Sequence, residues 1–289
     1  MASNPPDSSV AASGRFPLGD GPGVHRLGYG TMRLTGPGTW GPPADPTAAV
    51  ALLRRAADLG VDLFDTADSY GPDIVENLVR EALHPYDGIT VATKAGQLRS
   101  GPGEWVACGR PEYLRRKCEQ SLRRLGVERI DLFQLHRVDP TVPAAEQFGV
   151  LAALRDEGKI AAVGLSEVSI EQIQQAEAVV DVATVQNRYN LVDRASDAVL
   201  RYCTEQGIGF LPWFPLAAGS LAEPDGVVAE IAAGYGVSAA QIAIAWLLQR
   251  SSVMLPIPGT SLIGHLEDNC RAGGLELDLE TVAKLDSVG

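Results

Sequence analysis

Short apolar segments alternate with amphipathic segments along most of the chain, and this alternation limits its possible folds more than any other feature. The apolar segments have the length of strands, while the amphipathic ones repeat their apolar residues every three or four positions, as helices do. The strand candidates are apolar throughout, which is typical of a parallel sheet buried on both faces. We predict strands over 25–31, 61–65, 88–93, 130–136, 159–166, 183–187, 208–213 and 253–259.

Eight strand–helix units in 289 residues predict the α/β class and a single (β/α)8 barrel, the TIM barrel. Pro111 and Gly126 bound one of its helices, since proline favours the first helical turn and glycine the residue after the last. The stretch "VAEIAAGYGVSAAQIAIAWLLQR" predicts two helices in one connection, which adds helices near the C-terminal end. We assign residues 15–289 to this domain and residues 1–14 to a disordered tail without signal-peptide features.

Composition and residue spacing narrow the class of protein. The formal net charge of −12 at pH 7 disfavours a nucleic-acid partner, because phosphate binding needs basic surfaces. No apolar run approaches the roughly 18–20 residues that span a bilayer, so no membrane partner is expected. The four histidines lack metal-ligand spacing, so no metal site is predicted. The scattered cysteines predict free thiols in a reducing, cytoplasmic compartment; they are Cys108, Cys118, Cys203 and Cys270.

Two short motifs match known patterns only in part. Residues 36–41, "GPGTWG", have the spacing GxGxxG, but Pro42 and Pro43 follow them and the next helix begins only near Asp45. A dinucleotide fingerprint needs its glycines in the turn that opens a helix, so no Rossmann site is predicted. The segment "GLSEV" has Val168 where a nucleophile elbow has glycine, which argues against a serine hydrolase.

Ionisable residues follow three neighbouring strands. Asp65 ends the second, Lys94 the third and His136 the fourth, and Tyr70 lies in the loop after Asp65. The C-terminal ends of barrel strands carry the chemistry, so we expect these side chains to meet. Asp65 and Lys94 should pair, and the lysine ammonium should lower the pKa of Tyr70. Tyr70 is then the candidate general acid toward a developing alkoxide, with His136 hydrogen-bonded to the same oxygen.

A purely structural interpretation of the same residues is open. Asp65 and Lys94 would then form a structural ion pair, Tyr70 would anchor a loop, and His136 would be a buried histidine with its hydrogen bonds satisfied. Four such residues at successive strand ends favour a catalytic role over this alternative.

Six motifs occur in the order and spacing of the aldo-keto reductase superfamily: "FDTADSYG", "TKAG", "RIDLFQLHR", "GLSE", "QNRYNL" and "PIPGTSLIGHLEDN". The chain resembles this superfamily roughly from Leu27 to Asn269. The resemblance implies a (β/α)8 barrel and a nicotinamide cofactor bound without a Rossmann fold. It also implies a catalytic tetrad, matched by Asp65, Tyr70, Lys94 and His136. Many relatives are monomers, so we expect a monomer or small homo-oligomer acting on a small carbonyl compound.

The resemblance further implies that NADPH lies across the strand ends, from the nicotinamide ribose near the first two strands to the adenosine near the last. Ser166 and Gln186 would bind the carboxamide, Trp213 would stack on the nicotinamide ring, and residues 215–221 would cover the pyrophosphate. The implied cofactor contacts are Gly30, Thr31, Met32, Asp65, Ser166, Gln186, Trp213, Pro215, Leu216, Gly219, Leu221, Gly259, Thr260, Ser261, His265, Asp268 and Asn269.

The chain departs from the family pattern at four positions. Glu167 replaces an asparagine and could accept a hydrogen bond from the carboxamide, and Phe214 replaces a serine of the pyrophosphate loop. Gly259 and His265 stand where many relatives have lysine and arginine. Fewer positive charges there should weaken the preference for NADPH over NADH, although NADPH is still expected.

The predicted substrate pocket contains Met32, Trp40, Tyr70, Trp105 and His136, with the two tryptophans either clamping a flat ring or simply packing. The pocket loops resemble those of a bacterial branch that includes pyridoxal reductases, which suggests pyridoxal or a related aromatic carbonyl as substrate. A carbonyl reductase of specialised-metabolite biosynthesis in a high-GC bacterium is an equally compatible interpretation.

Two other functional classes are compatible with the same residues. A lyase could use the Lys94 amine as a Schiff base, which is disfavoured because Asp65 would hold that lysine charged. A regulator could bind NADPH without turning over a carbonyl substrate, which the intact tetrad argues against.

Overall fold

The structure, a computed structural model, describes residues 9–19, 21, 23–217 and 226–288. Seven of the strands within these residues form one sheet, and the others form two short antiparallel pairs. In chain order the strands are β1 (Arg15–Phe16), β2 (Val24–His25), β3 (Tyr29–Gly30), β4 (Leu63–Asp65), β5 (Thr90–Ala95), β6 (Gln97–Leu98), β7 (Val106–Ala107), β8 (Ile130–Leu135), β9 (Ile160–Ser166), β10 (Val182–Gln186) and β11 (Gly209–Phe210).

The main sheet is parallel and has the order β11-β10-β9-β8-β5-β4-β3, so its strands are neighbours in space in the order in which the chain makes them. Residues 132–135 of β8 are all fully buried, as predicted for strands covered on both faces. The register sets Lys94 opposite Gln134 and Asp65 opposite both Gly30 and Ala92. The polar residues at these strand ends therefore share one edge of the sheet.

The segment 253–257 lies between the two edge strands of this sheet. Phe210 N on β11 donates to Val253 O at 2.8 Å, and Leu255 N donates back to Phe210 O at 2.8 Å. On the other side Gly28 N, just before β3, donates to Pro256 O at 2.9 Å. Proline lacks an N–H group, so Pro256 prevents a regular strand at the eighth predicted position. The fold is thus of the predicted barrel kind, with seven strands in its main sheet and one irregular segment between the two edges of that sheet.

Helices lie before, between and after these strands, and glycines and prolines bound several of them as the sequence predicts. Pro111 opens α4, and Gly126 ends it in the left-handed conformation at φ 74°. The described helices are α1 (Ser9–Ala12), α2 (Pro46–Asp58), α3 (Val75–Leu83), α4 (Pro111–Leu125), α5 (Ala144–Asp156), α6 (Ile170–Glu177), α7 (Asp197–Gln206), α8 (Val227–Tyr235), α9 (Ala239–Arg250), α10 (Ile263–Arg271) and α11 (Leu279–Asp286).

The two helices predicted in one connection are α8 and α9. Ser238 Oγ accepts a hydrogen bond from Gln241 N, and Gln241 Oε1 accepts one from Ser238 N. This capping box begins α9 and separates it from α8. Within the described part of the chain no single helix is long and apolar enough to cross a membrane, and α8 and α9 meet that test only as a pair bent by 93°. All four cysteines are buried and none forms a disulfide, as predicted.

The N-terminal segment differs from the prediction. Residues 9–14 form helix α1 and the turn after it, and Val10 is fully buried. Ser13 Oγ accepts from Leu27 N at 3.2 Å, and Arg26 Nε donates to Ser13 O at 2.7 Å. The predicted disordered tail is therefore wrong for residues 9–14, because one apolar side chain and these hydrogen bonds hold them to the barrel. Residues 1–8 lie outside the described residues.

We predict that Val10→Asp lowers the free energy of unfolding by more than about 3 kcal/mol, because it buries an unpaired charge. The matched substitution Ala12→Asp, at an exposed position of the same helix, should change it by no more than about 0.5 kcal/mol. Denaturant unfolding measures both. Equal, small changes in the two variants would show that α1 does not pack as described.

Candidate active site

Asp65 and Lys94 form an ion pair at the C-terminal ends of β4 and β5. Lys94 Nζ lies 2.6 Å from Asp65 Oδ2, and the two side chains are 0% and 3% exposed. Lys94 Nζ also donates to Thr66 O at 2.9 Å. Burial alone would lower the pKa of Lys94, but the Asp65 carboxylate and the Tyr70 hydroxyl raise it above its ordinary value. Lys94 is therefore an ammonium group at neutral pH.

Two glutamines complete the hydrogen bonding of Asp65. Gln134 Nε2 on β8 donates to Asp65 Oδ1 at 3.0 Å, and Gln186 Nε2 on β10 donates to the same oxygen at 2.9 Å. Both glutamines are buried. The sequence analysis missed Gln134, although a polar residue within the apolar strand "IDLFQL" was a signal that could have identified it. The carboxylate is thus held from three other strands.

Tyr70 lies above Lys94, with its hydroxyl 3.4 Å from Lys94 Nζ and its ring centroid 5.1 Å from the same nitrogen. Burial raises the pKa of Tyr70, and the nearby Lys94 charge offsets only part of that rise. The predicted net lowering of this pKa is therefore wrong, because the tyrosine is almost completely removed from water. The hydroxyl stays protonated through the neutral range.

His136 lies beside the Tyr70 ring, with the two rings edge to face and their centroids 6.0 Å apart. Burial lowers the pKa of His136 well below its ordinary value, and the charges of Lys94, Arg137 and Arg99 lower it further. The ring is therefore neutral. Ser69 Oγ lies 3.3 Å from Nδ1. With the Ser69 hydroxyl donating to Nδ1, the ring proton is on Nε2, which can donate to a substrate oxygen.

A cavity of about 950 Å³ opens beside these residues, within the range of small-molecule sites. Tyr70 and His136 line it, whereas Lys94 is buried behind Tyr70. Gly219 and Leu221 lie outside the described residues. The other predicted cofactor residues all line this cavity: Gly30, Thr31, Met32, Asp65, Ser166, Gln186, Trp213, Pro215, Leu216, Gly259, Thr260, Ser261, His265, Asp268 and Asn269.

Ser166 and Gln186 each keep one unused hydrogen-bonding group, and together these two groups are complementary to a primary carboxamide. Ser166 Oγ accepts from Arg137 Nη1 at 2.9 Å, which leaves the serine proton free to be donated. Gln186 Nε2 donates to Asp65, which leaves the Gln186 carbonyl oxygen free to accept a hydrogen bond. A hydroxyl donor beside an amide acceptor matches the C=O and NH₂ groups of a carboxamide.

The opposite end of the cavity fits an anionic group. Helix α10 begins at Ile263 without a side-chain cap, so its first N–H groups are available to an anion beside Thr260 and Ser261. A Cβ at Gly259 would lie 2.5 Å from Gly30 O, so only glycine fits there. Arg33, which the sequence analysis missed, lines the cavity, and its Cγ lies 3.8 Å from that Cβ position. It supplies a cation close to the position where many relatives have lysine.

Glu167 already accepts two hydrogen bonds from the protein. Its Oε1 accepts from Trp213 Nε1 at 2.6 Å and from Arg188 N at 2.7 Å, and Glu167 is absent from the cavity lining among the described residues. The indole and a backbone N–H thus occupy Oε1, and the hydrogen bond from Glu167 to a carboxamide stays a prediction. Glu167 fixes the orientation of Trp213.

Of the two roles open to Trp40 and Trp105, the structure favours packing over a clamp for a flat ring. Arg99 fills the space near them, with its guanidinium carbon 3.6 Å from the Trp105 ring centroid and 5.7 Å from that of Trp40. Trp105 lines the cavity and contacts His136 edge to face, with the ring centroids 6.2 Å apart. Trp40 is not among the described residues that line the cavity. The guanidinium donates to backbone carbonyls of three loops, at Gly38, Thr39, Ser69, Gly101 and Glu104.

The match to a known family agrees with this geometry. The model of the Aldo/keto reductase family matches residues 26–289. The chain belongs to this family. Membership confirms the predicted class of enzyme, an NAD(P)H-dependent aldo-keto reductase.

Curated relatives place this aldo-keto reductase near the predicted branch. A pyridoxine 4-dehydrogenase of Escherichia coli is 38% identical over 96% of this chain and 99% of its own length. An uncharacterized oxidoreductase of Schizosaccharomyces pombe is 50% identical over the whole chain and 95% of its own length. The predicted resemblance to a bacterial branch is confirmed, and it extends to a fungal relative.

Solved aldo-keto reductases have the same fold. A glycerol dehydrogenase from Gluconobacter oxydans superposes with a TM-score of 0.87 at 28% identity, covering 96% of this chain and 95% of that one. An aldo/keto reductase from Klebsiella pneumoniae, solved with NADP and acetate, superposes with a TM-score of 0.79 at 27% identity, covering 94% of each chain.

We predict that Arg99→Met loosens the loops at residues 36–41 and 97–107, because the backbone carbonyls that Arg99 joins lose their shared donor. Amide hydrogen exchange in these loops should rise about tenfold or more, which corresponds to losing about 1.4 kcal/mol of local stability. The matched control is Arg116→Met, another arginine over an aromatic ring, whose guanidinium carbon lies 5.5 Å from the Tyr113 ring centroid. Unchanged exchange in Arg99→Met would remove Arg99 from this role.

Proposed function

We propose that this aldo-keto reductase reduces an aldehyde or ketone to the alcohol with NADPH, and that Tyr70 donates the proton. The observation that carries the proposal is the Tyr70 hydroxyl in the cavity, with Lys94 Nζ 3.4 Å from it and neutral His136 beside the tyrosine ring. A protonated hydroxyl, a fixed cation and a neutral hydrogen-bond donor are the groups that protonation of a developing alkoxide requires.

NADPH fits the donor set of the cavity. The uncapped start of α10 with Thr260 and Ser261 suits a 2′-phosphate, and Ser166 with Gln186 suits a carboxamide. Relatives from Klebsiella pneumoniae have been solved with NADP and with NADPH, which supports the same cofactor here. When bound, NADPH supplies a hydride from its nicotinamide ring to the carbonyl carbon. The contacts at Gly219 and Leu221 and the use of NADH stay predictions.

The chain's own residues then have separate tasks. His136 Nε2 donates to the carbonyl oxygen and orients it. As the carbon receives the hydride, the C=O π electrons move onto the oxygen, and the Tyr70 O–H bond breaks to give that oxygen its proton. Lys94 stabilises the phenolate that remains, until a proton from solvent restores the hydroxyl. The raised pKa of Tyr70 keeps the acid form populated at neutral pH, which is the form that protonation of the carbonyl oxygen requires.

We propose pyridoxal or a related aromatic aldehyde as substrate. The E. coli pyridoxine 4-dehydrogenase, 38% identical over nearly the whole chain, supports this class, as do the apolar walls formed by Met32 and Trp105. A reductase of a specialised-metabolite pathway has the same chemistry and differs only in substrate. The Schiff-base lyase is disfavoured, because Lys94 is fully buried behind Tyr70 and its pKa is raised. A cytoplasmic location and a monomeric or small oligomeric state stay predictions.

We predict that Tyr70→Phe lowers kcat/KM for the reduction of pyridoxal and 4-nitrobenzaldehyde at least about 100-fold, because the general acid is lost. The assay is NADPH oxidation at neutral pH, with NADPH binding measured separately by fluorescence. Tyr86→Phe is the matched control, since that hydroxyl only donates to Leu125 O, away from the cavity. Full activity in Tyr70→Phe would sink the mechanism. A wild type that binds NADPH but reduces neither aldehyde would favour the regulator.

A further inference from the structure

Arg137 follows His136 at the end of β8 and lines the catalytic cavity half-buried. Its Nη1 donates to His136 O at 2.6 Å and to Ser166 Oγ at 2.9 Å. Its Nε and Nη2 have no hydrogen bond to any residue that the structure describes. One nitrogen is therefore committed to the protein, and the other two are left for a ligand.

The charge of Arg137 also lacks a close partner. No carboxylate within the described residues lies within 4 Å of its guanidinium, whereas Lys94 has Asp65 at 2.6 Å. A guanidinium does not lose its proton in proteins, so the charge persists. Burial lowers the pKa of Arg137, and the Glu167 carboxylate, which is not within 4 Å, offsets this only in part, so the charge is incompletely compensated. The cavity thus contains a fixed positive charge that an anionic ligand would neutralise.

The free atoms of Arg137 have a defined shape. Nε and Nη2 form the side-on edge of the guanidinium, which binds two oxygens of a carboxylate or one ionised oxygen with two parallel N–H donors. Arg33 and His265 also line the cavity, but they lie with Gly259 and Thr260 at the proposed phosphate end, while Arg137 adjoins His136 at the catalytic end.

We propose that the Nε–Nη2 edge of Arg137 binds an ionised oxygen that the substrate carries close to its reacting carbonyl. The inference rests on the proposed reductase function and deepens it. The oxygen in question belongs to a substituent, since Tyr70 and His136 bind the carbonyl oxygen itself. The substrate class is a carbonyl compound with an anionic oxygen next to it, either a 2-oxo acid or an aromatic aldehyde with an ionised ortho hydroxyl. Pyridoxal belongs to the second group.

Two matched pairs of substrates test the proposal and separate its two sources of anion. The first pair is benzoylformate and its neutral methyl ester. The second pair is 2-hydroxy-5-nitrobenzaldehyde, which is ionised at neutral pH, and 2-methoxy-5-nitrobenzaldehyde, which is not. The quantity measured is the ratio of kcat/KM for the anionic member to that for the neutral member. This ratio cancels any general loss of activity that follows from disturbing Ser166 or His136.

The variants are Arg137→Met, which removes the charge, and Arg137→Lys, which keeps the charge without the planar fork. We expect the wild type to prefer the anionic member of one pair by about tenfold or more, the size of one charged hydrogen bond. Arg137→Met should abolish that preference, and Arg137→Lys should keep only part of it. The pair that shows the effect identifies the carboxylate or the phenolate as the anion.

Arg33→Met is the matched control, because it removes a positive charge that lines the same cavity. Arg33→Met should leave the anion preference intact. If it lost as much of that preference as Arg137→Met does, the effect would come from the overall electrostatic potential of the cavity, which would overturn the proposal. No anion preference in the wild type, or a preference that survives in Arg137→Met, would also overturn it. An unchanged ratio with weaker NADPH binding in Arg137→Met would assign Arg137 to the cofactor. If the wild type reduced none of the four substrates, that result would instead contradict the proposed function itself.

Discussion

The buried ion pair between Asp65 and Lys94 sets the geometry on which the rest of the cavity depends. Its 2.6 Å contact joins β4 to β5, and the glutamines on β8 and β10 extend the same network across the sheet through Asp65 Oδ1. Taking two charges out of water is unfavourable unless the remaining hydrogen-bonding positions are filled. Here Gln134 and Gln186 donate to Asp65, and Thr66 O and the Tyr70 hydroxyl accept from Lys94. Removing one partner of such a pair costs about 3–5 kcal/mol. The position of the Lys94 ammonium is therefore fixed before a substrate arrives.

Burial and charge oppose each other at Tyr70 and act together at His136. Burial raises the pKa of Tyr70, and the Lys94 ammonium reduces that rise without reversing it. At His136 burial and three nearby cations all lower the pKa, so the ring stays neutral. Burial thus keeps the tyrosine protonated against the Lys94 charge, and burial together with the cations keeps the histidine uncharged at the same carbonyl site. A reductase needs this combination, because the tyrosine must donate a proton and the histidine only a hydrogen bond.

Seven of the eight barrel strands, the strand-end ionisable residues and most of the cavity lining could be predicted from the sequence, because they follow from periodicity and from position along each barrel strand. Features that depend on contacts between distant side chains could not. Arg99 joins the backbone of three loops and packs on Trp105, and Glu167 pairs with Trp213 across 46 positions of the chain. The ordered segment at residues 9–14 depends on a single buried valine and on Ser13, which give no periodic signal.

The measurement that tests this account most directly is the pKa of the Lys94 ammonium, followed by NMR of lysine side chains. The chain has four lysines, so the Lys94 signal can be assigned from its loss in Lys94→Met. The account predicts that Lys94 titrates above the ordinary value of 10.5 in the wild type, and well below its wild-type value in Asp65→Asn, where only Tyr70 still opposes the effect of burial. A Lys94 that titrates below 10.5 in the wild type, or that is unaffected by Asp65→Asn, would contradict it.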